Sequence, residues 1–504
     1  MRKPGRKILS ALLALALLVS LLPLGAAPAQ AEGMTIEIDS EYDLWNFAYA
    51  LSQNTPGYAN ANVSLEGDID VAISSWVPIG TDIRPGMPAI DFTGTFDGNG
   101  HTINNINIID EDKTPHPGDG DNQSSSDIGL FARLGSGGTV KNLKVTGSVS
   151  SGRKADNMGG IVGVNSGSVT DCTFFGGISG KGNVGGVVGD NSGSVTDCSN
   201  TSGFSINGSG NFGGVVGNNS GSFSVPAPGA GSDTSGGNLG GVVGQNSGAG
   251  ARITSCYNIG DLCNDFPSGS FDGNLGGVVG NNSDNSSVTN SYNTGTIGVS
   301  NVPLVSGTVG GVVGSNSGNS SVTNCYNSGK FGSFINSTVG GVIGSNTDTS
   351  NVTNCYFLQQ DNVPAQGIGS GETTGATPVD DLTKQEQFSD WDFANTWRIS
   401  QSLGFPVLQE NAQDGLPPGL GTEASPYRIS TADQLKSFRG IVNDENGNPA
   451  AYAELMNDID LSSICNETNP WEPIGNGGGT SGGNTFEGYF DGQGHSVKNL
   501  VVGL

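Results

Sequence analysis

Seven near-copies of one phrase, Gly-Gly-Val/Ile-Val/Ile-Gly followed by two residues that end in Asn, run through the middle of the chain. They occupy Gly159–Asn165, Gly185–Asn191, Gly213–Asn219, Gly240–Asn246, Gly276–Asn282, Gly310–Asn316 and Gly340–Asn346. Their starts lie 26 to 36 residues apart and each copy holds only a short apolar strand, which is the spacing of a solenoid coil. One such strand cannot bury enough surface to offset the ordering of a whole repeat, so the coils must stack and share a core.

Composition narrows the setting. Arg2, Lys3, Arg6 and Lys7 precede an apolar run from Ile8 to Leu24, and Ala29-Gln30-Ala31 supplies a small-residue cleavage pattern. Residues 1–31 therefore read as a signal peptide, and the mature chain is expected outside the cytoplasm. Ser20, Pro23 and Gly25 break the run, which is short for a retained membrane anchor, and no later segment reaches about 18 unbroken apolar residues. Glycine makes up 84 of 504 residues, but its regular placement speaks for turns in a repeat rather than for disorder. Acidic residues outnumber basic ones 47 to 20, and removing the four basic signal residues takes the net charge from −27 to −31. Such a chain is poorly suited to hold phosphate backbones, which excludes nucleic acid as an expected partner.

Seven cysteines in an exported chain would ordinarily signal a disulfide framework. Here Cys172, Cys198, Cys256, Cys325 and Cys355 share one slot of the repeat, after Val/Ile-Thr-Asp/Asn/Ser, with Ser291 in a sixth copy. Equivalent residues on stacked coils lie about 4.8 Å apart with parallel side chains, a poor match to disulfide geometry. Buried thiols acting as small hydrophobes are expected, ahead of Cys172–Cys198 or Cys325–Cys355 bridges. Metal binding by this column is not expected, because the chain has only His101, His116 and His495.

Ile36 and Ile38 open an alternating strand, and Ser40 caps a predicted helix with Leu44, Phe47, Ala48 and Leu51 on one face. Gly67 to Asp70, Trp76 to Gly80 and Phe92 to Ile103 complete an N-terminal cap and first coil. Asp110 to Asp127 is a polar loop, and Thr139 to Val149 a degenerate coil. Each later copy has the Gly-Gly strand, an Asn turn, a second strand such as Ser321–Asn327, and a variable third segment. Three strands per coil predict three sheets around a triangular core. Alternation breaks between Val322 and Cys325, so which of them faces inward depends on a corner or bulge. The architecture then restarts: Pro426 to Ile429 is a second opening strand and Thr431-Ala432-Asp433-Gln434 a capping-box pattern. Asn457 to Asp460, Trp471 to Gly475 and Phe486 to His495 match their counterparts in the first cap. A lid without coils buries little, so the sequence is expected to be a fragment of a longer protein or the product of a truncated gene. The expected division is a signal peptide at 1–31, cap, first coil and polar loop at 32–127, and repeats at 128–360. A closing segment at 361–412, a linker at 413–425 and an incomplete second module at 426–504 follow.

With these motifs the chain resembles bacterial surface proteins that carry GLUG repeats. The resemblance rests on the Gly-Gly-Val-Val-Gly phrase with its Asn turn, and on the Trp-x-Pro-Ile-Gly and Phe-x-Gly-x-Phe-Asp-Gly-x-Gly-His segments. It covers roughly Ile36 to Leu408 plus the restart. It implies an all-β, right-handed parallel β-helix, a three-sided solenoid with a short N-terminal capping helix, in adhesin-like proteins and some large surface peptidases. The repeat is a scaffold shared by proteins with different tasks, so function must be argued from sites.

Candidate chemistry is sparse. The Asn165, Asn191, Asn219, Asn246, Asn282, Asn316 and Asn346 column is expected to be a structural ladder, with Asn tolerating a left-handed turn. The Thr170, Thr196, Thr254, Thr289, Thr323 and Thr353 column could be imagined as an ice-binding row, but without a Thr-x-Thr face it reads as strand propensity. Asp171 and Asp197 share a slot and could pair as carboxylates for acid–base or cation chemistry, although the slot becomes Ser255, Asn290, Asn324 and Asn354. Asp97 and His101 flank two glycines and an Asn, which read as a turn, repeated at Asp491 to His495. No His-Glu-x-x-His occurs, and Lys181, Arg252 and Lys330, the three bases between Met158 and Phe357, are too scattered to cluster. No catalytic, cofactor-binding or metal-ligating residue is assigned, and no cofactor.

The expected function is that of a non-catalytic, secreted, cell-surface or wall-associated monomer, adhesin-like, binding host or cell-surface glycans or proteins. Loops such as Asp110 to Asp127, Phe223 to Gly237 and Ile259 to Asp272 would do the binding, since they vary while the scaffold repeats. The rival readings are a polysaccharide-cleaving β-helix, or a non-catalytic region of a larger surface peptidase whose catalytic domain would lie beyond Leu504.

Overall fold

A computed structural model of the chain describes residues 34–73, 76–80, 90–110, 127–151, 155–200, 204–205, 209–224, 231–232, 236–262, 272–298, 304–305, 307–335, 337–400, 403–409, 416–419, 421–423, 426–443, 448–475 and 484–502. The expected signal peptide, the interior of the Asp110–Asp127 loop and Cys263 lie outside these residues.

The repeats form a parallel β-solenoid. Its first face stacks eleven strands in order from Thr35–Ile38 through Thr139–Ser151 and Ser194–Thr196 to Asn351–Thr353. The second face has nine strands from Phe131–Leu134 to Ile368–Gly371, and the third has eight from Asp127–Ile128 to Thr338–Gly340. Pairing follows the sequence repeat residue for residue: Val188 lies beside Val216 and Asn191 beside Asn219, while Ser287, Val288 and Thr289 lie beside Ser321, Val322 and Thr323. Three faces enclose the aliphatic interior, as three strands per coil predict.

The Gly-Gly phrase is a corner rather than one strand. In the copy at Gly276, the third-face strand Gly273–Gly276 ends, Gly277 and Val278 turn, and Val279–Ser283 joins the second face. Val278 and Val279 are both fully buried, which two successive residues of a flat strand cannot be. The glycines make this turn possible. A Cβ on Gly276 would lie 1.8 Å from the Val279 carbonyl oxygen, and one on Gly277 would lie 2.1 Å from the Gly311 carbonyl oxygen and 2.5 Å from Asn293 Cγ.

The broken alternation at Val322 and Cys325 has a similar cause: both are buried. Between them Asn324 sits in the left-handed region at φ +53°, and so do Asn142, Asp171, Asp197, Ser255, Asn290 and Asn354 in the same slot of other coils. One left-handed residue resets the alternation, and Asn and Asp tolerate that conformation best among residues with side chains. Beyond this corner a further sheet of five strands runs from Tyr257–Asn258 through Tyr292–Asn293, Tyr326–Asn327 and Cys355–Leu358 to Ala376–Val379.

The asparagine column is a buried ladder. Each Nδ2 donates to the Oδ1 of the next coil, from Asn165 to Asn191, Asn219, Asn246, Asn282, Asn316 and Asn346, with all six bonds at 2.7–2.8 Å. The structural reading holds, but its left-handed rationale does not: these asparagines lie in strands, at the last or next-to-last position, and the left-handed positions lie in the Asp171 slot. A second ladder, half-buried on the third face, points the other way: Asn274 donates to Asn238, Asn238 to Asn211, Asn211 to Asn183, Asn183 to Asn157, and Asn157 to the Asp127 carboxylate.

The cysteines Cys172, Cys198, Cys256, Cys325 and Cys355, together with Cys465, are buried free thiols. Cys172 donates to its own coil at the Thr170 carbonyl oxygen, 3.1 Å away, and Ser291 makes the equivalent bond to Thr289 at 2.9 Å. Burial pushes the thiols of Cys198 and Cys325 well above their ordinary range, as befits hydrophobes rather than nucleophiles.

At the N-terminal end, helix α1 (Glu41–Ser52) is capped by the Ser40 hydroxyl, which accepts from the Asp43 backbone N–H at 3.3 Å. It buries Leu44, Phe47 and Leu51, and Phe47 meets Phe92 edge-on at 5.7 Å. The segment after the repeats first adds Ile368–Gly371 and Ala376–Val379 as the last strands of the second face and of the tyrosine sheet, and then packs against the side of the solenoid. Tyr257, Tyr292 and Tyr326 stack at 5.3 and 4.9 Å, and Trp397 and Trp391 lie against them. The Tyr326 hydroxyl donates to the Pro406 carbonyl oxygen at 2.6 Å. Trp397–Ser400 and Phe405–Leu408 form the one antiparallel ladder among the described strands.

The restart has its own core, built on Ile429, Leu435, Phe438, Val442, Leu455 and Ile459. Helix α2 (Ala432–Asn443) is capped by Thr431, and the expected box is shifted by one residue: the Gln434 N–H donates to Thr431 Oγ1 at 3.2 Å, but Gln434 Oε1 accepts from the N–H of Ser430, before the cap, at 2.7 Å. Ile103, Ile106 and Ile108 of the first copy are buried under Thr139–Ser151, whereas their counterparts Val497, Leu500 and Val502 are exposed.

Two expectations follow. Asn282→Ala strips partners from the buried amides of Asn246 and Asn316 and should cost about 3 kcal/mol by urea unfolding, whereas Asn274→Ala in the half-buried ladder should cost under about 1 kcal/mol. Gly277→Ala drives a methyl into backbone and should lose about 3 kcal/mol, while Gly177→Ala, where a Cβ meets nothing within 4 Å, should stay within about 0.5 kcal/mol of the parent in the same assay.

Candidate functional site

The Asp171 and Asp197 carboxylates are brought to the same column, both in the left-handed corner at φ +51°. The surrounding coils push the Asp171 carboxyl above its ordinary range, the Asp197 carboxylate adds to this, and Arg428 opposes it. Arg428 Nη1 stands 3.7 Å from Asp197 Oδ2, so among the described residues the second module supplies the one base in ion-pair contact with the pair. A backbone conformation that selects Asn or Asp explains both residues without chemistry.

Asp97 and His101 do not meet as an acid–base pair. Asp97 binds Lys141 Nζ at 2.8 Å, the Asn99 backbone N–H at 2.9 Å and Asn142 Nδ2 at 3.0 Å. Burial works against its charge, but these partners outweigh it and hold the carboxyl below the usual range. His101 Nδ1 faces Asp68 at 3.4 Å instead. The second copy repeats the plan: His495 lies 3.8 Å from Asp458, and Lys498 Nζ, 2.7 Å away, helps hold the Asp458 carboxyl well below its usual range. Both sets tie one coil to the next. No group of three or more His, Cys, Asp or Glu among the described residues is placed to hold a metal ion.

The Thr column lies in register on the first face, Thr254, Thr289, Thr323 and Thr353 side by side and half-buried, in strand positions. The variable segments leave the solenoid at one topological place, after the first-face or tyrosine strand and before the third-face strand of each coil. Their points of departure therefore recur at one corner of the stack. Two pairs of them carry the stacking outward: Phe204–Ser205 pairs with Gly231–Ser232, and Leu304–Val305 with Phe334–Ile335. Within the expected binding segment at 223–237, Phe223 is a correction: it is buried in strand Ser222–Ser224, in the column of Val195 and Ile253. Ile259 is exposed, but Asp261 and Leu262 are tied to the next coil, Asp261 by the Thr296 N–H at 2.7 Å.

Two surface features fall outside the sequence expectations. A shallow cleft of about 350 Å³ lies between the last coil and the lateral segment, lined by Gln359, Thr377, Pro378, Val379, Asp380 and Gln387. On helix α1, Tyr42, Trp45 and Tyr49 project from the face opposite Leu44, Phe47 and Leu51. Their spacing of three and four residues was the available signal, hidden because the apolar face of the same helix accounts for its pattern.

Residues 272–298, 306–331 and 335–358 match the GLUG motif, and each match spans one coil. A stretch of 150 residues, 29% of the chain, is 31% identical to halomucin of Haloquadratum walsbyi and spans 1% of that protein's length. Among solved structures, a candidate immunoglobulin A1 protease from Bacteroides ovatus aligns over 74% of this chain and 91% of its own, at 18% identity and TM-score 0.31. An IgA1 protease aligns over 71% of this chain and 22% of its own, at 16% identity and TM-score 0.35. No helix among the described residues is long and apolar enough to cross a membrane.

Because Asp171 is raised in the folded chain, its ionisation opposes folding at neutral pH and that opposition fades as pH falls toward the ordinary carboxylate range. Asp171→Asn, which installs the residue found at Asn290, Asn324 and Asn354, should melt slightly above the parent at pH 7, and the two should converge near pH 4 in thermal scans.

Proposed function

We propose that this GLUG-repeat solenoid is a non-catalytic, secreted cell-surface protein that works as an adhesin-like display scaffold for glycan or protein ligands. The observation that carries the reading is the single edge along which the variable segments emerge, against faces whose columns are occupied by packing and coil-to-coil hydrogen bonds. A scaffold that keeps its register while one edge varies can change what it touches without changing how it folds. Net charge of −27 keeps such a surface soluble and turns away polyanions.

Two observations weigh against the polysaccharide-cleaving alternative. The paired carboxylates answer a backbone requirement, and the nearby base belongs to the second module. The display reading is tested by cell attachment. Replacing the segments at 225–235 and 263–271 with short Gly-Ser linkers should lower attachment several-fold while leaving the far-ultraviolet β spectrum unchanged. Undiminished attachment, or release of reducing or unsaturated ends from acidic polysaccharides that is lost in Asp171→Asn, would refute it.

A further inference from the structure

The N-terminal cap carries an exposed aromatic stripe that its fold does not need. Tyr42, Trp45 and Tyr49 are 71%, 42% and 47% exposed, and the rings of Trp45 and Tyr49 stack at 5.0 Å with 9° between their planes. Their spacing places them along one side of helix α1, over about 10 Å of its length.

The second copy shows what the helix requires. Aligning the caps Ser40 and Thr431, helix α2 buries Leu435, Phe438 and Val442 where helix α1 buries Leu44, Phe47 and Leu51. On the outer face, however, Asp433, Lys436 and Gly440 stand where the first copy has Tyr42, Trp45 and Tyr49. The buried set is held in common and the outer set is not. Three large rings in water are thus an addition to the cap, and contiguous exposed apolar surface of this kind marks a contact site.

Their chemistry selects the partner. Tyr and Trp present a flat apolar face with a hydroxyl or indole N–H at the rim, which suits a ligand with one C–H face and a ring of hydroxyls. Asp39, Glu41 and Asp43 surround the start of the helix in a chain of net charge −27, which repels nucleic acid, sulfated or uronic glycans, anionic lipid and a second copy of the chain. The stripe is also held rigidly. Glu41 accepts from the backbone N–H groups of Ala72 and Ile73 at 2.8 and 3.0 Å, and Phe47 and Leu51 are locked in the core, so little ordering is left to oppose binding.

We propose that Tyr42, Trp45 and Tyr49 form a stacking platform for the pyranose rings of an uncharged glycan, at the N-terminal tip of the solenoid. This rests on the display reading but places a contact away from the variable edge.

The test is titration of the full chain with cellohexaose and with the hexamer of N-acetylglucosamine, followed by calorimetry and by tryptophan fluorescence, with heparin as the polyanion control. The expected result is binding of at least one neutral hexamer and none of heparin. The variant Tyr42→Asp, Trp45→Lys, Tyr49→Ala, patterned on the outer face of the second copy, should melt with the parent and lose affinity about tenfold or more. Trp45→Phe should retain most of it. Should the triple variant melt early, Trp45→Lys alone decides by the same loss. Failure of both neutral hexamers at millimolar concentration, equal affinity in the variant, preferential binding of a proline-rich peptide, or concentration-dependent self-association relieved by the variant would each overturn the proposal. The linker replacements along the variable edge separate the two readings. If they abolish hexamer binding while the stripe variant keeps it, the platform fails and the display reading stands. If the linker replacements leave attachment undiminished, the display reading fails, whatever the stripe variant does.

Discussion

Register is the constraint on which everything else in this molecule depends. Each coil is held by residues that can be satisfied only by their own counterparts one coil away, so a slip of one residue would break many contacts together. The buried amides show this most directly: Asn246 has Asn219 on one side and Asn282 on the other, within a column closed to water. An amide facing a valine column would lose both bonds in a low-dielectric interior, where an unpaired polar group is most costly. The two ladders donate in opposite directions along the axis, toward later coils inside and toward earlier coils on the third face, so their dipoles partly cancel instead of adding over the length of the solenoid.

The glycines act on the same constraint by exclusion. Gly276, Gly277 and Gly280 are each hemmed in by backbone atoms nearer than any Cβ could tolerate, and Gly280 faces the Leu239 N–H on the neighbouring face. The second and third faces therefore approach backbone to backbone, while Val278 and Val279 turn into the core. A phrase that reads as one apolar strand is a corner whose every glycine answers to a specific neighbour.

Legibility followed periodicity. The stacking, the thiol column, the Asn ladder, the Ser40 and Thr431 caps and the buried face of the first helix could be read because each is local or repeats in the sequence. The Val322–Cys325 anomaly was visible as a break in alternation, but its resolution, a left-handed residue at Asn324, needed backbone angles. The lateral packing of Trp391 and Trp397 on the tyrosine stack could not be read, because Tyr326 and Pro406 meet across eighty residues and no repeat relates them. Nor was the outer face of the first helix singled out, since a buried stripe explains a helix and leaves its far side unquestioned. That side becomes informative only against the second copy, where an equivalent buried set carries Asp433, Lys436 and Gly440 behind it.

A solenoid is translationally symmetric, and that limits where function can sit. Any chemistry built into a column is repeated at every coil unless the column changes, and a column that changes gradually, as Asp171 and Asp197 give way to Asn290 and Asn324, is following a backbone preference common to all its members. Specific recognition requires groups that differ from their neighbours in number, direction or exposure. In this chain such differences occur where the symmetry breaks: along the edge where the variable segments leave, at the lateral aromatic seam, and at the capping helices. The seam is closed by Trp391 and Trp397, whereas Tyr42, Trp45 and Tyr49 of the first cap face solvent. The two capping helices share one buried face and differ on the other, which separates what folding demands from what remains for binding.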